Sequence, residues 1–387
     1  MHKDKFVFAQ LVEFLDNNKF RRLVEKYNGD FHVRSFSCWN QLLALMFGQL
    51  SGRESLRDLI VTLEAHRAKC YHLGLGRTML TKATFADANG KRSYRIFEDY
   101  AFYMMGEARR ECSQEIFTLG GNVYAFDSTT IPLCLAIFPW AKFRRRKGGV
   151  KIHALYDLEA SIPSFYHITT ASVNDAKAMA EIPCEIGAFY VFDRGYNSFA
   201  ELDRINRLEA FFIVRAKQNL QFKFIKWKRR LPENVLSDGE IQLTEPASRK
   251  KYAGQLRLVR FHDKEQDRNF SFITNAMSIT ALQVANLCRN RWQIELFFKW
   301  LKQHLKIKKF WGTTENAVRI QIGAAITAYC LVAIVQKKLQ TKRTAYELLQ
   351  ILSASLMDKT SLKELFEKTE SEEPTINEQP FLPGFGI

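Results

Sequence analysis

The sequence holds no CxxC pair. Its seven cysteines, at positions 38, 70, 112, 134, 184, 288 and 330, are scattered and odd in number, which argues against a zinc ribbon and a disulfide framework. They read as small core residues of a reducing compartment. The eight histidines show no HxxxH or related metal-ligand spacing. The opening stretch MHKDKFVFAQLVEFLDNN lacks the basic, apolar and small-residue succession of a signal peptide, so a cytoplasmic protein is expected. The most apolar run, Ile322 to Val335, is shorter than the roughly 20 residues of a bilayer span and follows Arg319 and Gln321, so a buried helix is expected there. No internal repeat is found.

Acidic residues are also in deficit, 41 against 57 lysines and arginines, for a net charge of +16 and a pI near 9.5. That balance suits a polyanion: nucleic acid first, an anionic membrane surface second. With 47% hydrophobic and 13% aromatic residues the chain is globular, and 387 residues exceed one compact core, so two or three packed units are expected.

The pattern changes along the chain. Residues 1–115 carry apolar positions at three- and four-residue intervals (FVFAQLVEFLD, FRRLVEKY, SFSCWNQLLALMFGQL, SLRDLIVTLEAH, SYRIFEDYAFYMMGEARR), the mark of helices. They fit either a DNA-reading helical unit or a plain bundle. From 120 the period shortens: NVYAFDSTT, VKIHALYDL and SFYHITTAS read as strands, followed by the helical DAKAMAEI, the strand AFYVFDR, the helix NSFAELDRINRL and the strand AFFIVRAK. Three strands followed by helix, strand, helix, strand is the order of an RNase H-like α/β core, assigned to 120–218. Residues 219–277 read as a β insertion into that core (FKFIKWK, GEIQLTE, QLRLVRFH, NFSFITN). A helix over 278–312, further helices over 313–368 with a dimerisation role, and a loose acidic tail at 369–387 complete the division.

Two aspartates end apolar strands: Asp127 in YAFDST and Asp193 in YVFDRG. Each alone could be a turn or cap residue. In the inferred core, however, the first and fourth strands are neighbours, which brings the two carboxylates together. Asp157 and Asp175 are rivals, but Asp157 follows the second strand and Asp175 opens a helix as a cap. A third carboxylate comes from NRWQIELFFKWLK. On one continuous helix Arg291, Glu295, Lys299 and Lys302 fall within roughly 80° of each other, a charged stripe on an apolar rod, and Cys288 lies about 60° from Arg291 on the same flank. The stripe either faces water with ordinary i,i+4 pairs or presents Glu295 among cations to a phosphate-bearing ligand. Three carboxylates from two strands and a helix can hold two Mg²⁺ ions about 3.5–4 Å apart, with Mn²⁺ as a substitute, the arrangement for in-line displacement at a phosphodiester. The basic run Lys142, Arg144, Arg145, Arg146, Lys147 and Lys151 is either a DNA-backbone contact or a solvated loop, and Trp227 could stack on an unpaired base or pack its own sheet.

DSTTIPLCLAIFPWAKFR after Asp127, DRGY at 193–196, VRSFSCWNQLLALMFGQLSGRESLRDL and ATFADANGKRSYRIF together resemble the DDE transposases of bacterial insertion sequences, in the IS-four group. That group's Tyr-x2-Arg-x3-Glu-x6-Lys pattern lands on Cys288, Arg291, Glu295 and Lys302, with cysteine in the tyrosine position. The resemblance covers most of the chain. It implies a cut-and-paste transposase with Asp127, Asp193 and Glu295 as metal-binding catalytic triad, and with Arg291, Lys302 and less directly Lys299 on DNA near the cleaved end. It also implies terminal inverted repeats and target DNA as partners, a hairpin intermediate, a homodimer that synapses two ends, and nucleoid association. A non-catalytic DNA-binding descendant and a stand-alone two-metal nuclease are the alternatives.

Overall fold

The computed structural model describes residues 4–76, 80–144, 147–304 and 309–367; Arg145, Arg146 and the tail from 369 onward lie outside the described residues. Ten strands form one sheet: β1 (Val123–Leu133), β2 (Lys142–Arg144), β3 (Lys147–Asp157), β4 (Ile162–Thr170), β5 (Phe189–Phe192), β6 (Phe211–Arg215), β7 (Phe222–Trp227), β8 (Val235–Leu243), β9 (Leu256–Asp263) and β10 (Arg268–Thr274). The first of these, β1, pairs antiparallel with β3 and parallel with β5; β3 carries β4 on its other side, and β5 continues in parallel to β6. The order β4, β3, β1, β5, β6 is the three-strand meander followed by βαβ steps that the period changes predict. The basic stretch read as a loop is in part strand, with β2 paired antiparallel to the start of β3.

Residues 222–274 do not stand apart from this sheet. The antiparallel pairing of β10 with β6 adds β10, β9, β8 and β7 to the far edge in that order, so the β-rich stretch lengthens the core sheet.

Strict alternation sorts the central strands between two cores. Val123 and Ala125 of β1 and Phe189 and Val191 of β5 join the core under the large helical layer. Tyr124, Phe126, Tyr190 and Phe192 face the opposite core, covered by the Phe199–Arg207 helix and the segment around Met179.

On the helical side the Glu315–Lys338 helix runs through the middle. Its length and composition would suit a membrane span, but 83% of its apolar window is buried inside the protein, as expected for a core helix. It packs along the Tyr94–Cys112 helix, which in turn lies on β4, where Phe102 stacks on Tyr166 at 5.1 Å. The chain's two ends share this layer: Val7 N–H donates to Asp358 O, and Gln49 Nε2 donates to Gln321 O. Residues read as an N-terminal helical unit and as C-terminal helices therefore pack on one common core.

The two long helices touch closely because of Gly323. A Cβ there would lie 3.1 Å from the carbonyl oxygen of Phe97 and 3.4 Å from the amide of Glu98. We predict that Gly323→Leu, which must wedge the helices apart, lowers stability by about 1–3 kcal/mol. Urea unfolding followed by circular dichroism measures it, and an unchanged midpoint would mean that the helices separate without cost.

Candidate active site

The parallel pairing of β1 with β5 ends at Phe126 opposite Phe192. The next residue on each strand is an aspartate, Asp127 and Asp193, and by alternation both turn toward the helical layer. Two carboxylates thus stand side by side where the parallel ladder ends, Asp193 just past the end of β5 but Asp127 inside β1, which continues to Leu133, so the expectation that Asp127 ends its strand is corrected. Asp157 is eliminated as a rival by register, since it pairs with Tyr124 at the other end of β1 and is held there by Arg109 at 2.8 Å.

The third carboxylate arrives on the Gln293–His304 helix, which packs on β1 and anchors Phe297 against Tyr156 and Tyr329. Here the structure departs from one continuous helix. The Ala281–Asn290 helix ends, and a tight turn follows in which Ile294 N–H reaches Arg291 O and Glu295 N–H reaches Trp292 O. These i→i+3 bonds change the pitch, so positions before and after the turn do not share one helical wheel. The turn swings Arg291 inward. Its Nη1 donates to Asp127 Oδ2 at 2.8 Å and its Nη2 donates to Glu295 Oε1 at 2.7 Å. Arg291 is 17% exposed, Asp127 21% and Glu295 45%. The stripe therefore turns inward at Arg291, while Glu295 is exposed.

Burial pushes the Asp127 carboxyl above its ordinary range, with the charges of Glu295 and Asp193 adding to it; Arg291 and the Ser128 N–H oppose them without cancelling the rise. Burial also works against the charge on Arg291, but Asp127, Glu295 and Asp193 outweigh it and hold the guanidinium more firmly protonated than usual. Among the described residues no three His, Cys, Asp or Glu groups converge tightly enough to hold a metal ion as they stand. What converges is a set of hard oxygen donors around a single cation, and that donor chemistry fits a divalent ion of the Mg²⁺ type.

The other sequence-singled residues divide. Lys299 is exposed and Lys302 half-buried on the same helix as Glu295. Lys147 is exposed at the start of β3, and Arg144 lies in β2. Lys151 departs from a DNA-facing loop: it is 11% exposed and donates to Val173 O at 2.9 Å and Asp175 Oδ1 at 3.1 Å. Asp175 is not the cap of its short helix; Asn174 is, through its side-chain oxygen on Ala176 N–H. Trp227 is 59% exposed on the edge strand β7, yet one face of its ring stacks on Phe224 with centroids 3.6 Å apart. Cys288 lines one cavity together with Arg291 and Asp193. It is half-buried in this cavity of about 430 Å³, with Phe192, Arg215, Phe270 and Phe272 among the walls, and burial pushes its thiol up.

Sequence reasoning missed Tyr196 and Ser128 as partners of Asp127. The Tyr196 hydroxyl donates to Asp127 Oδ1 at 3.3 Å, and the Ser128 N–H reaches the same oxygen at 2.8 Å. The signal for Tyr196 was its place in DRGY.

A carboxyl whose pKa is raised on folding adds stability below its unfolded pKa of about 3.9 and loses it as pH climbs through the folded value. At neutral pH ionised Asp127 therefore weighs against the metal-free fold. Asp127→Asn should raise the thermal midpoint at pH 7 in chelator, with the gain shrinking as pH falls toward the ordinary carboxylate range. A lower midpoint at pH 7 would show that the Arg291 pair outweighs burial.

Known proteins resemble this chain on both sides of the site. Residues 118–331 match the family described as "Transposase DDE domain", and residues 3–76 match a domain of unknown function, DUF4372. A putative transposase of Sinorhizobium fredii, y4zB, is 36% identical over 255 residues, 64% of this chain and 70% of that protein. A probable transposase for insertion sequence element IS5377 from Geobacillus stearothermophilus is 33% identical over 53% of this chain and 54% of its own length. A putative transposase for insertion sequence element IS4SA from Synechocystis is 28% identical over 72% of this chain and 79% of its own length. The two neighbouring aspartates lie inside the matched segment, as do Arg291 and Glu295, and the chain belongs to the DDE transposases of bacterial insertion sequences.

Proposed function

We propose that this transposase moves its element by cut and paste, with Asp127, Asp193 and Glu295 as the ligands of two Mg²⁺ ions, for which Mn²⁺ substitutes. The observation that carries this reading is the Arg291 guanidinium held between Asp127 Oδ2 and Glu295 Oε1, next to Asp193. Oxygen donors that draw in one buried cation have the charge to draw in others. Bound ions would activate the attacking oxygen and steady the leaving one at a phosphodiester. The chain's own part is to hold the donors on a rigid sheet end, to exclude bulk water on the Asp127 side, and to grip the DNA.

Arg291 has two claims on it. In the free chain it neutralises Asp127 and Glu295; beside DNA, a phosphate would take the guanidinium and leave both carboxylates open. Lys299 and Lys302 extend the same grip along the helix, and Lys147 with its arginine neighbours tracks the backbone farther out. An RNase H-like core accounts for the strand order β4, β3, β1, β5, β6. The terminal inverted repeats and target DNA are the substrates, and two copies of the chain synapse the two ends.

Asp127→Asn, Asp193→Asn and Glu295→Gln should each abolish metal-dependent cleavage of duplexes carrying the DNA ends that flank the gene, while gel-shift binding of those ends persists. Cleavage retained by any one variant removes that residue from the site, and cleavage without strand joining in the unaltered protein would make it a nuclease. Arg291→Gln should weaken end binding and reduce the salt slope by about one unit, the loss of one phosphate contact. A salt titration with unchanged slope would leave Arg291 with the carboxylates alone.

A further inference from the structure

Asp127 presents its two oxygens to different surroundings. Oδ2 faces Arg291, and with it the side from which Glu295 approaches. Oδ1 is turned back into the protein, where it accepts the Ser128 N–H at 2.8 Å and the Tyr196 hydroxyl at 3.3 Å. A carboxylate hinged on one χ2 torsion can rotate freely unless one oxygen is tethered. The Ser128 amide alone gives a single tether from the residue next door; Tyr196 supplies a second from a different segment.

The Tyr196 ring cannot turn away. It is 3% exposed, with its edge against Phe126 at 5.3 Å and its other neighbour Phe192 at 6.0 Å, the two residues that precede Asp127 and Asp193.

Asp175 takes the Ser128 hydroxyl proton. Lys151 Nζ sits 3.1 Å from Asp175 Oδ1 and holds the side chain in place, and Ser128 Oγ donates to the same oxygen at 2.6 Å. With its one proton committed to Asp175, the Ser128 hydroxyl has none left to give to Tyr196 or to Asp127. The phenolic proton of Tyr196 is then the hydroxyl proton that remains for Asp127 Oδ1.

We infer that Tyr196 and Asp175 are positioning residues of the catalytic centre: Tyr196 tethers Asp127 Oδ1 so that Oδ2 faces the ion site, and Asp175, through Ser128, fixes the direction of the tether. This rests on the reading of Asp127 as a metal ligand. It also gives the Lys151–Asp175 pair a role that neither a helix cap nor a DNA-contacting lysine would explain.

Tyr196→Phe deletes one oxygen and keeps the packed ring, and Asp175→Asn keeps shape but removes the charge that commits the Ser128 proton. Both variants, their combination and Asp127→Asn are to be compared as full-length protein bound to duplexes of the DNA flanking the gene. Mn²⁺ binding is read by electron paramagnetic resonance, cleavage as a function of Mg²⁺ concentration, and end binding in chelator. Tyr196→Phe should weaken Mn²⁺ binding and shift the Mg²⁺ requirement of cleavage upward by about tenfold, the scale of one hydrogen bond to a charged group. Excess metal should restore the rate, and end binding should not change. Asp175→Asn should give a smaller shift of the same kind, and the double variant should be no worse than Tyr196→Phe alone, because both act through one tether. Wild-type metal affinity in Tyr196→Phe overturns the inference, as does a loss of end binding in step with cleavage or an additive double variant. If Asp127→Asn still cleaves, the site reading itself has failed; if it is dead while Tyr196→Phe is normal, only the tether has.

Discussion

The parallel pairing of β1 and β5 is the constraint on which the site depends. Because it ends at Phe126 opposite Phe192, the next residues, Asp127 within β1 and Asp193 just past β5, set two carboxylates side by side where the parallel ladder stops, half-covered by a helical layer. Such a pair is costly. Burial disfavours the ionised Asp127 carboxyl and pushes it up, and the like charges of Glu295 and Asp193 add to the rise. The fold answers with Arg291, whose two donors divide between Asp127 and Glu295. A short turn of i→i+3 bonds between two helices is what lets that arginine reach inward.

The rest of the molecule keeps that end of the ladder in place. Its helical side is one continuous core, in which the Glu315–Lys338 helix packs on the Tyr94–Cys112 helix and both chain ends are stitched together. The other face is closed by the Phe199–Arg207 helix and the aromatic cluster of Tyr124, Phe126, Tyr190, Phe192 and Tyr196. Tyr196 belongs to both tasks, since its ring fills the core while its hydroxyl touches Asp127. The strands from 222 to 274 extend the sheet beyond β6 and put the cavity wall of Phe270 and Phe272 beside Asp193. A segment that looks separate in composition is thus part of the site's surroundings.

The same economy explains the misplaced lysine. In a linear reading Lys151 belongs with the basic run that begins at Lys142. On β3, however, alternate residues go to opposite faces, and Lys151, paired in register with Thr130, turns to Asp175 and the Val173 carbonyl. Its charge serves the interior near Asp127, not the surface.

Much was legible in the chain itself. Period-two runs located the strands closely, Asp193 after YVF marked a strand end while Asp127 after YAF proved to lie within its strand, and the basic balance pointed to a polyanion, because alternation, burial and net charge are local or additive properties. That Glu295 shares a stripe with Arg291 was equally a matter of spacing. Three things were not local. The turn of i→i+3 bonds at Arg291 and Trp292 breaks the continuous helix that spacing suggests. The contacts of Asp175 and Tyr196 join residues from separate segments, and no periodicity records them. The extension of the sheet at β10 depends on which edge was left open by β6. Sequence by itself determined which residues could be strand, helix and ligand, since those follow from neighbours along the chain; tertiary structure alone decided which oxygens meet which donors, since hydrogen bonds and ion pairs are made across space.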